Sequence, residues 1–465
     1  MPVTRRTLLG LGLAGGAAAL TGCADPGCPS VPTFVGDGTA VPGVDPTGGP
    51  SASPDPSART GLGSVGTTSS SAAPGTAGNS PVAGEVANRA LSDVLRRYLQ
   101  PTSDNPSHPT YAGAVAVVTV AGRTVARLAV GDALRYAAGP TELPAAQRVA
   151  MRPDSIHDLA SITKVHTAIL ALRQVDAGRI DLDAPVVDYL PEFDGPGKAA
   201  ITVAMLLTHT SGLPVGPKIS HINGRDARWH AVLATGLVDG ATPGSTFRYS
   251  SIGLMALGRI IEKVTRQNLA DALRTGLTGP LGLADTGFTP TDRHSAADIA
   301  ARMAATDARS SRGLLRGIVH DDVANQLGGV AGHAGIFATA DDVAAIGNLL
   351  LDGGTYQGVR ILSAATTARM LANANSGLPA VDPQRPYRTS DHGLGVVLNQ
   401  PWFMGDLAGP RSFGHTGFSG TSLLVDPDRG LVFALLTNRA HPNWSWADPD
   451  PARVAAANVV AREFG

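Results

Sequence analysis

Residues 158–170, DLASITKVHTAIL, place a serine and a lysine three positions apart at the start of a segment with helical periodicity. Three residues are close to one helical turn, so we expect the Ser161 hydroxyl and the Lys164 amine on the same face of a helix, within reach of each other. Lysine is rare in this chain, which has only four, at positions 164, 198, 218 and 263, among 37 basic residues. The stretch therefore raises the question of whether an amine that can lose its proton is needed here.

Two interpretations of this serine and lysine compete. In a capping box, an N-cap serine is followed three residues later by Glu or Gln, whereas Lys164 would place a cation at the positive end of the helix dipole. In the chemical interpretation, Ser161 is a nucleophile and Lys164 its general base, and N–H groups at the helix start face a nearby oxyanion. The dipole and burial beside Leu159, Ile162 and Val165 would favour the neutral amine that this role needs. Serine and lysine also occur at this spacing by chance, so the pair alone does not decide.

The N-terminal region differs in composition from the rest of the chain. Residues 1–23 combine Arg5 and Arg6, a short apolar run and small residues before Cys23, which predicts an export signal too short and glycine-rich to span a bilayer. TRRTLL resembles a twin-arginine signal, and LTGC resembles a bacterial lipobox, in which the cysteine is lipidated. Ordinary secretion with an incidental Cys23 is the alternative. Residues 24–84 are rich in Pro, Gly, Ser and Thr and predict a disordered tether. We therefore expect an exported protein, lipid-anchored on the outer face of the cytoplasmic membrane.

The overall composition argues against several classes of function. A formal net charge of -1 on 465 residues lacks the electrostatic signature of a nucleic-acid-binding protein. Both cysteines, Cys23 and Cys28, precede the globular region, so no disulfide is expected in its core. Neither the cysteine spacing nor the nearby histidines indicate a metal site, and we expect no metal and no cofactor.

Residues 85–465 predict one folded domain of the α+β class. AVAVVTV and TVARLAV flank the turn AGR as an antiparallel hairpin, and GTSLLVDP and LVFALLTNR flank the turn DRG near the C-terminus. Helices are predicted at residues 87–100 and in the final PARVAAANVVAREF. Between the hairpins, helical spacing recurs in SITKVHTAILALRQVDAG, IGLMALGRIIEKVTRQ, DDVAAIGNLLLDGG and SAATTARMLAN. Strands from both ends imply an antiparallel sheet formed by N- and C-terminal strands, with a helical lobe inserted.

Three further stretches follow DLASITK in the order and at the spacing of one enzyme group: LLTHTSGLP (206–214), PGSTFRYSSIGL (243–254) and GHTGFSGTSLLVDP (414–427). The segment from VHD to GGVAGHAGIFATADD (319–342) resembles one that is common in wall-associated members of that group. With these motifs, residues 85–465 resemble the serine β-lactamases and penicillin-binding-protein-like hydrolases, in particular the class C-like branch that includes esterases and D-aminopeptidases. The resemblance covers nearly the whole globular part and implies a β-lactamase/transpeptidase-like fold.

The resemblance implies a role for three catalytic residues. Ser161 would be the acylated nucleophile, Lys164 its base partner, and Tyr249 the tyrosine that relays protons and later activates the deacylating water. A buried aromatic residue with a satisfied hydroxyl is the alternative for Tyr249. Ser251 stands where the family usually has asparagine, and a serine hydroxyl cannot offer the donor and acceptor of an amide together. This departure leaves open the contacts to a substrate amide and the positioning of Lys164.

His415, Thr416 and Gly417 stand at the family's Lys-Thr-Gly strand, which lines one wall of the cleft. The resemblance implies that Gly417 lets the substrate backbone approach and that the Phe418 N–H joins that of Ser161 in the oxyanion hole. A neutral imidazole at position 415 is a poorer partner than an ammonium for the carboxylate of a penicillin or a terminal D-alanine. It is compatible with esters that lack such a carboxylate.

We therefore expect a serine hydrolase that forms an acyl-enzyme on Ser161, and an esterase of cell-envelope substrates is the first choice. A D-aminoacyl peptidase or carboxypeptidase and a weak β-lactamase are alternatives. A non-catalytic penicillin-binding or wall-binding lipoprotein is the alternative from another class. The expected partners are a small-molecule or peptidoglycan-derived substrate and, through the lipid anchor, the membrane.

The remaining histidines and acids are given no catalytic role. His209 and His333 are expected to organise backbone turns or rim contacts. His320 and Asp321 could pair, since they are neighbours in the chain. The loop at residues 373–392 is expected to influence acyl specificity.

Overall fold

The computed structural model describes residues 81–465, with side chains from Gly84 onward, and this part of the chain folds around a seven-stranded sheet. The α-helices of this part are α1 (Pro81–Arg97), α2 (Thr163–Asp176), α3 (Val186–Tyr189), α4 (Val203–Leu207), α5 (Arg225–Ala234), α6 (Ser251–Thr265), α7 (Leu269–Leu273), α8 (Ala296–Arg302), α9 (Asp322–Gln326), α10 (Ala340–Leu351), α11 (Ala364–Leu371), α12 (Pro401–Met404) and α13 (Asp450–Phe464).

The strands of the same part include five long enough to form the body of a sheet and many short pairs. They are β1 (Gly113–Val120), β2 (Arg123–Leu134), β3 (Tyr136–Ala137), β4 (Thr141–Glu142), β5 (Val149–Ala150), β6 (His157–Asp158), β7 (Phe247–Arg248), β8 (Ala305–Asp307), β9 (Leu315–Arg316), β10 (Phe337–Ala338), β11 (Thr355–Tyr356), β12 (Val359–Arg360), β13 (Ala380–Val381), β14 (Val397–Leu398), β15 (Phe413–Thr416), β16 (Ser422–Asp426) and β17 (Leu431–Thr437).

The main sheet is antiparallel and is closed by the two ends of the folded region. Its order is β14-β15-β16-β17-β1-β2-β5, so the first and last long strands, β1 and β17, are neighbours, with Val117 opposite Ala434. Both predicted hairpins are confirmed, as β1 with β2 and as β16 with β17. The helices between them in the chain form the inserted lobe. The predicted α+β class, with an antiparallel sheet made from both ends of the domain, is confirmed.

Both faces of the sheet are covered, which explains the nearly continuous apolar run in β1. Val115 and Val117 point into the large core shared with the helical lobe, whereas Ala116 and Val118 point into a second core beneath α1 and α13. A strand buried on both faces has no polar side to alternate with. On the lobe side, α10 lies so close to the sheet that a side chain at Gly347 would collide with Val432.

The helices predicted from periodicity are present with shifted ends. The four predicted helical segments between the hairpins correspond to α2, α6, α10 and α11, and the last segment to α13. The first helix spans Pro81–Arg97 rather than the predicted 87–100, so it begins before the predicted end of the tether at residue 84. The predicted signal at 1–23 with Cys23, and the tether up to residue 80, lie outside the described residues. No helix formed by residues 81–465 is long and apolar enough to cross a membrane.

Acidification is expected to destabilise this fold, because several histidines are buried in it in their neutral form. Burial lowers the pKa of His157 and His166 to about 4, and that of His392 and His441 to about 3. Between these values and the ordinary histidine pKa of about 6.5, the unfolded chain binds more protons than the folded chain. The free energy of unfolding therefore falls as the pH falls through this window, by up to about 1.4 kcal/mol per pH unit for each histidine.

We expect the thermal unfolding midpoint, measured by differential scanning fluorimetry, to drop between pH 7 and pH 5. A His166→Leu variant removes one of these groups and should show a shallower decline. An unfolding midpoint that stays level from pH 7 to pH 5 would contradict the assignment of neutral buried imidazoles.

Candidate active site

The segment before Ser161 is a tight turn held by a buried carboxylate. The short strand β6 pairs with β10, and a 3-10 turn at Ala160–Ile162 leads directly into α2. Ala160 adopts a left-handed backbone conformation with φ of 47°, which non-glycine residues rarely do. The Asp158 side chain supports this turn, since Oδ1 accepts the Ala160 N–H at 2.8 Å and Oδ2 accepts the His320 N–H at 2.7 Å. Burial raises the pKa of Asp158, against the lowering effect of these two amides.

Ser161, Lys164 and Tyr249 meet in one hydrogen-bonded group. Lys164 Nζ donates to Ser161 Oγ at 2.9 Å, and the Tyr249 hydroxyl donates to the same oxygen at 2.8 Å. Lys164 Nζ also donates to the carbonyl of His333 at 3.0 Å, and its side chain is only 1% exposed. Both acceptors are uncharged oxygens, and no carboxylate of residues 84–465 forms an ion pair with this amine. An oxygen that accepts two bonds keeps its own hydrogen for a third partner.

The imidazole ring of His209 packs against the ring of Tyr249. The strand β7 ends one residue before Tyr249, and the Arg248 N–H bonds to the His209 carbonyl at 2.8 Å. The imidazole of His209 accepts the Ser250 N–H at 3.2 Å, and its ring centroid lies 4.6 Å from that of Tyr249. His209 has a φ of 58°, so this turn is locally strained. The structure thus places His209 in a backbone turn, with its ring against the candidate relay residue.

Ser251 is the least integrated of the predicted site residues. It begins α6, and its N–H bonds to the Val215 carbonyl at 2.8 Å. Within residues 84–465, no hydrogen bond links its hydroxyl to Ser161, Lys164 or Tyr249. The structure therefore brings Ser251 beside the group without joining it.

The strand β15 and the turn after it form the opposite wall. A side chain at Gly417 would collide with the Leu159 carbonyl and with the Thr421 hydroxyl, so glycine is required where this wall meets the segment before Ser161. Thr416 ends β15 and pairs with Ser422. Within the described residues, the Phe418 N–H donates to no protein acceptor, which leaves it available to a substrate oxygen.

His415 is buried and neutral. Its side chain is 3% exposed, and Nδ1 bonds to the Thr416 carbonyl at 2.8 Å, so this nitrogen carries the hydrogen. Burial, together with the nearby positive charge of Lys164, holds the pKa of His415 well below its usual range. The wall at this position therefore carries no positive charge at neutral pH.

Several residues that hold the site were not identified from the sequence. The Ser419 hydroxyl donates to the Asp158 carbonyl at 2.7 Å, and the Thr421 hydroxyl donates to the Leu159 carbonyl at 3.0 Å. Arg453 of α13 donates to the carbonyls of Gly417 and Thr421, at 2.7 and 2.8 Å. Ser419 and Thr421 lie inside a recognised motif, but nothing in the local sequence around Arg453 distinguishes it from other helix arginines.

The suggested pairing of His320 with Asp321 is wrong. His320 Nε2 lies 3.4 Å from Asp307, and Asp321 lies 3.0 Å from His333 Nε2. Asp321 caps α9 by accepting the Ala324 N–H, which directs its carboxylate away from its chain neighbour. Although burial raises the pKa of Asp321, the His333 ring holds it below the ordinary range. Asp321 therefore supports the residue whose carbonyl binds Lys164.

No metal site is evident in this region. Among residues 84–465, no group of three or more His, Cys, Asp or Glu side chains is placed to hold a metal ion. The chemistry available at the cleft is that of a hydroxyl, an amine, a phenol and backbone N–H groups.

Comparisons with known proteins show the family and the fold of this chain. Residues 95–458 match the family model described as Beta-lactamase. An "N-acetylmuramyl-L-alanine amidase" of Bacillus subtilis (strain 168) is 31% identical over 357 residues, 71% of this chain and 78% of that protein. A protein of Salmonella agona (strain SL483), provisionally assigned as a D-alanyl-D-alanine carboxypeptidase, is 31% identical over 318 residues, 62% of this chain and 70% of that protein. The solved structure of EstCE1, described as a hydrolase with promiscuous acyltransferase activity, has a TM-score of 0.59 at 21% identity and covers 82% of this chain and 100% of its own; it shares the fold.

Arg453 provides a test of how the β15 wall is held. An Arg453→Met variant would remove the buried side-chain donor from the Gly417 and Thr421 carbonyls and leave them only the backbone N–H groups of Gly420 and Gly417, so we expect a loss of roughly 2 kcal/mol in the free energy of unfolding by urea titration. Arg462→Met, on the exposed side of the same helix, is the matched control and should change stability by less than about 0.5 kcal/mol. Equal effects of the two substitutions would show that Arg453 does not hold the wall.

Proposed function

Since the chain belongs to the Beta-lactamase family of serine hydrolases, we propose that Ser161 is its acylated nucleophile and that Lys164 and Tyr249 accept and return the proton of its hydroxyl. The observation that carries this proposal is the double hydrogen bond to Ser161 Oγ, from Lys164 at 2.9 Å and from Tyr249 at 2.8 Å. A serine that only capped α2 would not need two titratable partners on its oxygen. Burial of Lys164 further supports a chemical role, because a buried amine is kept in place by its two hydrogen bonds, one of them to Ser161 Oγ.

In the proposed acylation, Ser161 Oγ forms a bond to the substrate carbonyl carbon while its proton passes to Tyr249 or Lys164. One of these two groups must first be in its basic form, because both act as donors to Oγ in the resting geometry. The carbonyl electrons move to oxygen, and the Phe418 and Ser161 N–H groups stabilise this oxyanion. When the oxyanion collapses, the bond to the leaving alcohol breaks and the alcohol takes the proton.

Deacylation repeats these steps with water as the nucleophile. Tyr249 and Lys164 take a proton from the water, the water oxygen bonds to the acyl carbon, and Ser161 Oγ leaves with the returned proton. The arrangement needs only side chains and backbone groups of this chain. His209, packed on the Tyr249 ring, keeps the phenol oxygen directed at Ser161 through both halves.

We propose an ester of cell-envelope origin as the substrate. The neutral, buried His415 supports this choice, because the wall offers no fixed cation at this position for a substrate carboxylate. The similarity to EstCE1, described as a hydrolase, is compatible with it but extends only to the fold.

A D-aminoacyl peptidase or carboxypeptidase is the second candidate function. The observation that favours it is the similarity to a provisionally assigned D-alanyl-D-alanine carboxypeptidase and to an N-acetylmuramyl-L-alanine amidase, whose names point to peptidoglycan-related substrates. Weak β-lactamase activity would follow from the same chemistry. A non-catalytic penicillin-binding or wall-binding role would require that the Ser161 group has lost its reactivity.

Replacement of Ser161 tests the proposed nucleophile. Ser161→Ala should abolish labelling by a fluorophosphonate probe and reduce ester turnover by about 1,000-fold or more, because no other hydroxyl occupies its place. Tyr249→Phe removes only the phenol oxygen and should reduce kcat by about 100-fold or more. Ser92→Ala in α1 and Lys263→Met in the last turn of α6 are the matched controls. They should leave both readouts unchanged.

A comparison of three substrate classes separates the candidate functions. A chromogenic ester, a D-alanyl peptide and a cephalosporin, compared by kcat/KM, should rank in that order if His415 excludes carboxylate substrates. A peptide turned over faster than the ester would favour the second candidate. Wild-type protein that forms no covalent adduct with fluorophosphonate or penicillin would contradict an enzymatic role altogether.

We also propose that the protein is exported and anchored through a lipid on Cys23. The support is sequence alone, from the paired arginines and the LTGC motif. In a bacterial host, the wild-type chain should incorporate an alkyne-labelled palmitate and fractionate with membranes, whereas Cys23→Ala should do neither. Cys28→Ala is the matched control and should behave as wild type. Labelling that persists in Cys23→Ala would contradict the anchor at this position.

A further inference from the structure

Three aromatic side chains form a partly exposed rim beside the candidate oxyanion hole. Phe418 is 48% exposed and Trp444 is 37% exposed, and their ring centroids lie 5.5 Å apart at 56°. The ring of His320, which is 7% exposed, stacks with Phe418 at 5.6 Å and 30°. We call His320, Phe418 and Trp444 the aromatic rim. Apolar surface left in contact with water costs free energy, so a cluster of exposed large rings typically marks a binding surface.

The rim is attached to the residues that precede the nucleophile. Phe418 directly follows Gly417, which is packed against the Leu159 carbonyl. The His320 N–H donates to the buried carboxylate of Asp158 at 2.7 Å. Through these contacts the inner part of the rim packs against residues that lie two and three positions before Ser161 in the chain. A substrate whose carbonyl lies at Ser161 can therefore extend onto these rings.

The rim is held in place before any substrate binds. Arg439 donates from Nε to the Ala447 carbonyl at 2.8 Å and from Nη1 to the Phe418 carbonyl at 3.0 Å. Its guanidinium carbon lies 5.0 Å from the Phe418 ring centroid. Asn443 caps the turn that carries Trp444 by accepting the Ser445 N–H at 3.0 Å. One arginine and one cap thus order both segments of the rim, and prior ordering reduces the entropy lost on binding.

We propose that the aromatic rim is a substrate subsite for a flat ring that is neutral or anionic; the proposal rests on the proposed ester hydrolysis at Ser161. Two rings at 56° offer a face and an edge to a third ring, which is the arrangement that aromatic groups prefer. The guanidinium groups of Arg439 and Arg309 lie beside the rim, the latter 5.9 Å from the Trp444 centroid. Arg309 is paired with Asp307 at 2.7 Å, so the positive charge that disfavours a cationic ring is that of Arg439.

Three esters test this subsite: vinyl acetate has no ring, phenyl acetate has a ring on the alcohol, and vinyl benzoate has a ring on the acyl group. For each, hydrolysis by Trp444→Ala is compared with wild type by pH-stat, so that the intrinsic reactivity of the ester cancels. We expect kcat/KM for at least one ring ester to fall about 3- to 10-fold, with vinyl acetate changed less than about 2-fold. A fall in kcat/KM for phenyl acetate would place the alcohol group on the rim, and a fall for vinyl benzoate would place the acyl group there.

Val86→Ala is the control, because Val86 is a 55% exposed apolar residue of α1, outside the cleft and outside the loop at 373–392. It should leave all three kcat/KM values unchanged. Equal losses for the three esters in Trp444→Ala, or selective losses in Val86→Ala alone, would overturn the subsite while Ser161-dependent turnover of vinyl acetate would still uphold the proposed function.

A binding measurement keeps the subsite testable if none of the esters is turned over. Boronic acids form a reversible bond with a serine nucleophile and can be measured by their protection of Ser161 from fluorophosphonate. Phenylboronic acid should protect the wild type at a lower concentration than methylboronic acid, and Trp444→Ala should reduce that preference by about 3- to 10-fold. An unchanged preference in Trp444→Ala would overturn the subsite. Absence of any Ser161 labelling would defeat the proposed function, and the subsite with it.

Discussion

The burial of the Lys164 amine against two uncharged oxygens is the constraint on which the rest of the site depends. Removing an amine from water is costly unless its hydrogens find acceptors, and here the acceptors are Ser161 Oγ and the His333 carbonyl. The second acceptor comes from a segment about 170 residues further along the chain, which must therefore pack against α2. Thr167 strengthens this contact by donating to the Gly332 carbonyl at 2.8 Å. The candidate catalytic group and the packing of the helical lobe are thus parts of the same arrangement.

Closure of the sheet by both ends of the domain determines what faces that amine. Because β17 pairs with β1, the C-terminal strands β15 and β16 lie beside the segment that carries Ser161. Hydroxyls of Ser419 and Thr421 then bond to the carbonyls of Asp158 and Leu159, and Arg453 ties the same turn to the last helix. The opposite walls of the cleft are therefore joined by short polar contacts, which limits how far they can separate.

The histidines around Lys164 add no positive charge to its surroundings, and the buried Arg388 nearby is paired with Asp382 at 3.2 Å. Burial holds the pKa of His209 and His415 well below the ordinary range and lowers that of His392 to about 3, and the charge of Lys164 acts in the same direction on the first two. A second cation near the amine would be repelled, so these imidazoles remain neutral. The proposed choice of an ester substrate depends on the neutrality of His415 in this setting.

The sequence by itself determined the fold class, both hairpins and the pairing of Ser161 with Lys164, because these depend on local periodicity and on residues one helical turn apart. Tyr249 and the wall at 415–418 were recognised only through whole motifs. The roles of Asp158, Arg453 and Trp444, and the contact of His209 with the Tyr249 ring, were decided by the tertiary structure. So were the separate partners of His320, which lies near Asp307, and of Asp321, which lies near His333. These contacts join segments far apart in the chain, and side-chain direction at a helix cap or turn is set by packing that no local pattern encodes.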